Sequence, residues 1–312
     1  MNDLGLTGRS FLTLHDFTPQ EVRGLLDLAS ELKALQKART PHESLAGRAV
    51  AMIFMKTSTR TRMSFEVGIR QLGAQPMFLN ANDIQLRVGE TIKDTACVMS
   101  RYVDAIMIRT FAQKDVEDLA AYGQVPVING LTDAHHPCQA LSDAFTIREA
   151  LGRLEGVRLV YSGDGNNVAH SLAEVGAKCG MQVTICSPPG YLPSEQIIAR
   201  ARADAAETGA SVELTSDLAE AVRGCDVIYT DTFTSMGQEA DHDLRLAALR
   251  DYQVNAALLE TAGPQVKVMH CLPAHWGEEI TEEVLYSEHS VVFDQAENRL
   301  HAQKAIMASV IA

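Results

Sequence analysis

No stretch of the sequence carries the run of about 18–20 apolar residues that would cross a bilayer. The opening residues, MNDLGLTGRSFLTLHDFT, lack the basic stretch and apolar core of a secretory leader. The 6 cysteines include no C-x-x-C pair, which argues against a disulfide framework and for free thiols in a reducing compartment; a cytoplasmic location is expected. The closest His/Cys grouping, His270-Cys271 with His275, has no second cluster to complete a zinc site, so no metal is expected. Positive charge is scarce as well. Lys+Arg number 27 against 40 Asp+Glu, a net charge of −13. That balance excludes nucleic acid and anionic membrane surfaces as partners, because both require a basic face. Internal repeats, low-complexity tracts and long linkers are also absent.

What remains is an ordinary globular composition, 46% hydrophobic and 21% charged, in a chain of 312 residues, long enough for two cores. Short apolar runs predict strands at 49–54, 75–79, 105–108, 125–128, 157–161, 182–186, 212–214, 227–230, 266–269 and 291–293. Helical patterns occupy 59–72, 93–100, 114–121, 137–151, 168–179, 194–208 and 244–249, with one more from 294 to 311. Continuous apolar strands separated by helices predict parallel sheets covered on both faces. Ten strands are too many for one sheet of this kind. The expected fold is therefore α/β, with two doubly wound parallel-sheet domains joined by interdomain helices. The first domain is expected over 1–150, with the C-terminal helix 294–312 packing back on it, and the second over 151–293. Ligands in such folds sit beyond the carboxyl ends of strands, so the loops there are where chemistry is expected.

Such loops carry chemistry-bearing residues in four groups. In the first, Ser58, Thr59, Arg60 and Thr61 stand where a strand turns into a helix. Ser58 suits an N-cap, and a helix start with hydroxyls and a guanidinium suits phosphate; the same residues also suit a plain capped helix. The local charge favours the anion. Between Lys56 and Arg109 the sequence holds eight basic and five acidic residues, so this stretch is positive within an acidic chain. Arg109 follows the apolar run Ala105-Ile106-Met107-Ile108, which puts it at a strand's carboxyl end. In the second loop, His136 precedes Pro137 at a helix start, with Gln139 in the first turn. A histidine there favours its neutral form, which can polarise a carbonyl; a solvent-facing pair with His135 is the alternative.

The third loop, Gly163-Asp164-Gly165-Asn166-Asn167, suggests a dinucleotide turn but fails two checks: Val168 stands at the sixth fingerprint position, and the next strand ends on Cys186-Ser187-Pro188 with no acidic residue. What it offers is a pair of amides, either for a small substrate or for capping the helix. The fourth feature is a pair of late loops. Asp231, followed by Ser235-Met236-Gly237, can pair with an ammonium, while His270-Cys271-Leu272-Pro273 offers a thiol between strand and turn. A Cys nucleophile with His270 or His275 as base is one reading, an inert thiol the other.

Taken together, Ser58-Thr59-Arg60-Thr61-Arg62, His136-Pro137-Cys138-Gln139, residues 163–170, Asp231 with Ser235-Met236-Gly237, His270-Cys271-Leu272-Pro273 and Glu297-Asn298-Arg299 resemble the aspartate/ornithine carbamoyltransferase family, in its order and over the whole chain. The resemblance implies transfer of the carbamoyl group of carbamoyl phosphate to the side-chain amine of ornithine, with no cofactor. It implies that Ser58, Thr59, Arg60, Thr61 and Arg109 hold the phosphate. Thr61, Arg109 and His136 would polarise the carbamoyl oxygen, and Gln139 with the backbone at Leu272 would hold its amide. Gln85 would complete the carbamoyl-phosphate site and Arg299 would close it. Asn167, Asp231, Ser235 and Met236 would hold the amino acid, with Cys271 beside the attacking amine. A homotrimer is implied, with Gln85 reaching a neighbouring site. Two positions depart from the pattern: Met55, where a Glu is usual, and Trp276, where an Arg is common. Other amine acceptors, a nicotinamide dehydrogenase on a similar fold and a non-catalytic sensor are the competing readings.

Overall fold

The computed structural model describes residues 4–311 apart from Met236 and Gln238. They fall into two compact units, Met1–Phe145 with Asn298–Ala312, and Thr146–Glu297. In chain order the elements are α1 (Pro19–Lys37), β1 (Ala49–Phe54), α2 (Thr59–Gln71), β2 (Gln75–Asn80), α3 (Ile92–Met99), β3 (Ala105–Arg109), α4 (Gln113–Tyr122), β4 (Val127–Leu131) and α5 (Pro137–Leu151). Then follow β5 (Arg158–Ser162), α6 (Asn167–Cys179), β6 (Gln182–Cys186), α7 (Glu195–Ala205), β7 (Ser211–Thr215), α8 (Leu218–Ala221), β8 (Val227–Thr230), α9 (His242–Leu249), α10 (Ala256–Ala262), β9 (Lys267–His270), α11 (Glu282–Leu285) and α12 (Val292–Val310). The unit boundaries fall inside α5 and α12.

Each unit contains one all-parallel sheet. The first has the order β2-β1-β3-β4 and the second β7-β6-β5-β8-β9. In the first, Ala51, Ile53, Ile106, Ile108, Val116 and Leu119 form a buried cluster beside the sheet. In the second, Val160, Ile228, Phe233, Leu249 and Val268 do the same. The inner strands β1, β3 and β8 are buried almost throughout and apolar rather than alternating, which is why their sequence runs are continuous.

Two expectations need correction. Residues 291–293 form no strand: Ser290 makes a single parallel bridge to Val268, and α12 begins at Val292. A short apolar run at a helix start has the same composition as a strand, and periodicity cannot separate them. The long helix α1 was not expected, although its signal is present. Thr18 caps it, Glu21 closes the capping box and Pro19 is its first residue.

The strand orders also fix where sites can form. In the first sheet the chain reverses its direction of growth between β1 and β3, and in the second between β5 and β8. Loops leaving two such strands diverge to opposite faces and leave a crevice at their carboxyl ends.

Candidate active site

In the first unit, the switch point brings together residues far apart in sequence. Phe54 at the end of β1 pairs with Arg109 at the end of β3. The β3–β4 register shifts between Ile108 and Arg109, an irregularity of the kind that re-aims a side chain at a strand end. Beyond β1, Ser58 is extended and caps α2, its Oγ accepting the Thr61 N–H at 3.2 Å. That cap turns Thr61 inward, where it is 1% exposed.

Thr61 is the centre of the group. Its Oγ1 accepts from Arg109 Nη1 at 3.3 Å and from Arg299 Nη2 at 3.1 Å. A hydroxyl has two lone pairs and one proton, so with both lone pairs engaged by guanidiniums Thr61 offers only its proton to a ligand. Arg299 Nη1 donates to Gln139 Oε1 at 2.6 Å, and Gln139 Nε2 donates to the buried Asp143 at 2.8 Å. Asp143, which the sequence did not single out, therefore fixes which way the Gln139 amide faces. His136 is buried and its carbonyl accepts from the Gln139 and Ala140 N–H groups at the start of α5. Burial, followed by the charges of Arg299, Arg109 and Arg60, holds its imidazole well below the usual histidine pKa. The neutral form expected from the helix start is thus present, but burial and three arginines enforce it.

Thr59 is exposed at the head of α2, and Ser58 and Arg60 are half-buried beside it. Gln85 stands apart. It is exposed in a short 3-10 turn, Gln85–Val88, and among the described residues its side chain makes no hydrogen bond. Met55 is partly buried against the apolar cluster of this unit.

In the second unit, the switch point joins the glycine turn after β5 to the loop after β8. Asn166 caps α6, its Oδ1 accepting the Val168 N–H at 2.9 Å and the Ala169 N–H at 3.3 Å. Its Nδ2 donates to Asp231 Oδ2 at 2.8 Å. Asp231 is buried, and its other oxygen accepts from Cys271 Sγ at 2.9 Å. The capping reading holds for Asn166. Asn166 caps the helix and orients the carboxylate, while Asn167 begins α6, half-buried. The glycine turn has a packing role: a Cβ on Gly165 would stand 2.2 Å from Pro193 N. Ser235 is half-buried beyond Asp231; Met236 lies outside the described residues.

The Cys271 thiol donates to the Asp231 carboxylate. His270 is buried, its Nδ1 accepts the Leu272 N–H at 2.8 Å and its Nε2 faces Glu279 Oε1 at 3.0 Å. Glu279 also accepts the His275 N–H at 2.6 Å. These bonds hold Leu272 at a φ of 60°, a left-handed conformation that a branched side chain adopts only when its surroundings impose it. Trp276 is 56% exposed and packs edge-on to Tyr286. Among the described residues, two groups have donor atoms close enough to share a cation, Asp231 with His270 and Cys271, and His275 with Glu278 and Glu279. Hydrogen bonds already engage every member of the first group.

The two parallel α/β units thus differ at their switch points, one gathering arginines and the other a buried carboxylate. Comparison with known proteins identifies the family. Residues 9–149 match the family profile described as aspartate/ornithine carbamoyltransferase, carbamoyl-P binding domain, and residues 155–310 match the Asp/Orn binding domain of the same family. The chain belongs to the aspartate/ornithine carbamoyltransferase family. It is 56% identical to the ornithine carbamoyltransferase of Thermococcus kodakarensis, over 99% of this chain and 98% of that one. It is 55% identical to a Pyrococcus furiosus protein named ornithine carbamoyltransferase, anabolic, over 99% and 98%. A solved ornithine carbamoyltransferase from Pyrococcus furiosus superposes with a TM-score of 0.96 at 54% identity, covering 100% of this chain and 99% of that one.

Proposed function

We propose that this chain transfers the carbamoyl group of carbamoyl phosphate to the side-chain amine of L-ornithine, giving L-citrulline and phosphate. The observation that carries the reading is the opposite charge of the two switch-point clusters: Arg60, Arg109 and Arg299 around Thr61 and His136 in one unit, Asp231 with Asn166 and Cys271 in the other. The first suits a phosphorylated anion and the second a cationic amine.

The first unit binds carbamoyl phosphate. Ser58, Thr59, Arg60, Thr61 and Arg109 take the phosphate, and Gln139 takes the carbamoyl amide. Arg299 tightens the site through its bonds to Thr61 and Gln139. The second unit binds ornithine through Asn167, Asp231, Ser235 and Met236, with Cys271 beside the side-chain amine. That amine, with an ordinary pKa of about 10.4, attacks only when neutral. Its nitrogen forms a bond to the carbamoyl carbon, and negative charge builds on the carbonyl oxygen. Thr61, Arg109 and neutral His136 are donors for that oxyanion. The C–O bond to phosphate then breaks, and phosphate accepts the proton the amine gives up. Much of the acceleration comes from orientation and charge, and the leaving group needs no cofactor to activate it.

A homotrimer is part of the reading. It is supported by the exposed side chain of Gln85 and by exposed apolar side chains on the same unit, Val88 at 75% and Tyr102 at 77%. Sedimentation, and restored activity on mixing Gln85→Ala with Arg109→Ala subunits, test it. The free cysteines suit the cytoplasm. The biosynthetic direction is favoured by the relative named anabolic. The deciding experiment offers carbamoyl phosphate with ornithine, putrescine, aspartate or acetylated ornithine and measures carbamoylated product. Product from ornithine is expected; product only from another amine refutes the reading.

A further inference from the structure

Arg245 takes no part in the roles assigned above, yet three segments of the second unit converge on it. Its side chain is 11% exposed. Nε donates to the Phe233 carbonyl at 2.7 Å, Nη2 pairs with the Asp164 carboxylate, and the guanidinium carbon stands 5.1 Å from the Tyr191 ring centre. Arg245 thereby ties α9 to the loop after β8 and to the glycine turn after β5. Both of those segments carry residues of the amine site, Asp231 and Ser235 on one, Asn166 and Asn167 on the other.

Asp164 makes this pairing matter for chemistry. Its carboxylate is 13% exposed. Burial pushes it up to about 6, Arg245 opposes the rise, and the charge of Asp231 adds to it. Two carboxylates therefore share one corner of the unit. Both carboxylates act on Tyr161 of β5, as do Cys271 and Glu279 from beyond β9; His242 lies on the same helix as Arg245. Of these neighbours, Arg245 alone is cationic at every working pH.

We infer, on the basis of the ornithine reading, that Arg245 is a positioning residue for the amine substrate: it neutralises Asp164 so that Asp231 alone acts on the amine, and it fixes the backbone between Asp231 and Ser235 through the Phe233 carbonyl. The substrate makes two opposed demands. Its ammonium must be attracted into the site, yet the side-chain nitrogen must lose a proton before it attacks. One carboxylate serves the first demand. A second, left unpaired, would hold the nitrogen as ammonium while it is ionised and raise its pKa in the bound complex. The attacking amine lies beside Cys271 in the proposed complex, and Cys271 donates to Asp231, so this balance acts where attack occurs.

The test uses the full chain and four variants: Arg245→Met, Arg245→Lys, Asp164→Asn and the double variant Asp164→Asn/Arg245→Met. The readouts are kcat against pH at saturating carbamoyl phosphate, KM for each substrate, and a thermal midpoint to show folding. In the ternary complex the acid limb of kcat reports deprotonation of the bound amine. Arg245→Met is expected to raise that limb by about one pH unit, the size of a charge interaction across several ångströms of protein. It should also raise the ornithine KM about tenfold while leaving the carbamoyl phosphate KM within about twofold. Arg245→Lys keeps the charge, so the limb should stay in place while the ornithine KM remains raised. The double variant removes both charges in near-isosteric form and should return the limb to the wild-type position. An unmoved limb in Arg245→Met, or one that Asp164→Asn does not restore, overturns the inference. Wild-type protein that binds carbamoyl phosphate but carbamoylates no ornithine overturns the functional reading instead.

Discussion

Replacing Thr61 with valine removes one hydroxyl from the centre of the anion cluster and almost no volume. Thr61 is 1% exposed, and its Oγ1 accepts from Arg109 at 3.3 Å and from Arg299 at 3.1 Å. A hydrogen bond from a charged donor contributes about 1.5–3 kcal/mol. Both guanidiniums keep other donors and can turn toward water or bound phosphate, so the loss of stability should be nearer about 2 kcal/mol than the sum of two such bonds. The catalytic loss should be larger. With its lone pairs engaged by the arginines, Thr61 can only donate to a ligand, and the proposed acceptor is the carbamoyl oxygen as it becomes an oxyanion. Removing one such donor costs about 100- to 1000-fold in kcat, or about 2.7–4 kcal/mol. Initial rates of citrulline formation at saturating carbamoyl phosphate measure this, with a thermal midpoint recorded on the same preparation. The ornithine KM should stay within about twofold, because the amine binds on the other unit. A Thr61→Val enzyme within about threefold of wild type in kcat would refute the reasoning and leave Thr61 as a structural acceptor alone.

Asn166→Ala removes a helix cap worth about 1 kcal/mol and the amide that orients Asp231; the ornithine KM should rise while the carbamoyl phosphate KM does not, as steady-state kinetics with each substrate varied will show. Gly165→Ala places a Cβ 2.2 Å from Pro193 N, so the backbone must move; a stability loss of about 1–3 kcal/mol or more is expected by denaturant titration. Burial lowers the His301 pKa to about 3. The unfolded chain therefore binds a proton that the folded chain refuses between about pH 6.5 and pH 3, and this residue makes folding weaker as pH falls through that window. Thermal midpoints measured from pH 7 to pH 4 should fall less steeply in His301→Asn than in wild type.

Some of the molecule is legible in the chain itself. Strands β1 and β8 lie on their apolar runs, because a strand buried on both faces must be apolar throughout. Ser58 caps α2, since cap chemistry depends only on the next three residues. The strand expected at 291–293 was misplaced because composition there suits either state, and only packing chose the helix. Charge was also local information: the positive stretch from Lys56 to Arg109 stands out within an acidic chain, and Arg109 from it meets Thr61 in the folded unit. Residues acting through others left no such mark. Asp143 sits one helical turn after Gln139 and fixes its amide. Glu279 holds His270 on a loop whose sequence showed only charge. Arg245 reads as one more polar residue of a helix and turned out to be largely buried.

The sequence by itself thus determined the class of fold and the kinds of side chain at each strand's end, because secondary structure and capping follow from neighbours in the chain. Tertiary structure decided which of those ends meet. Sheet orders β2-β1-β3-β4 and β7-β6-β5-β8-β9 set Thr61 against Arg109 and Asn166 against Asp231. These pairs are 48 and 65 residues apart, and strand order is a property of packed sheets that no local pattern encodes.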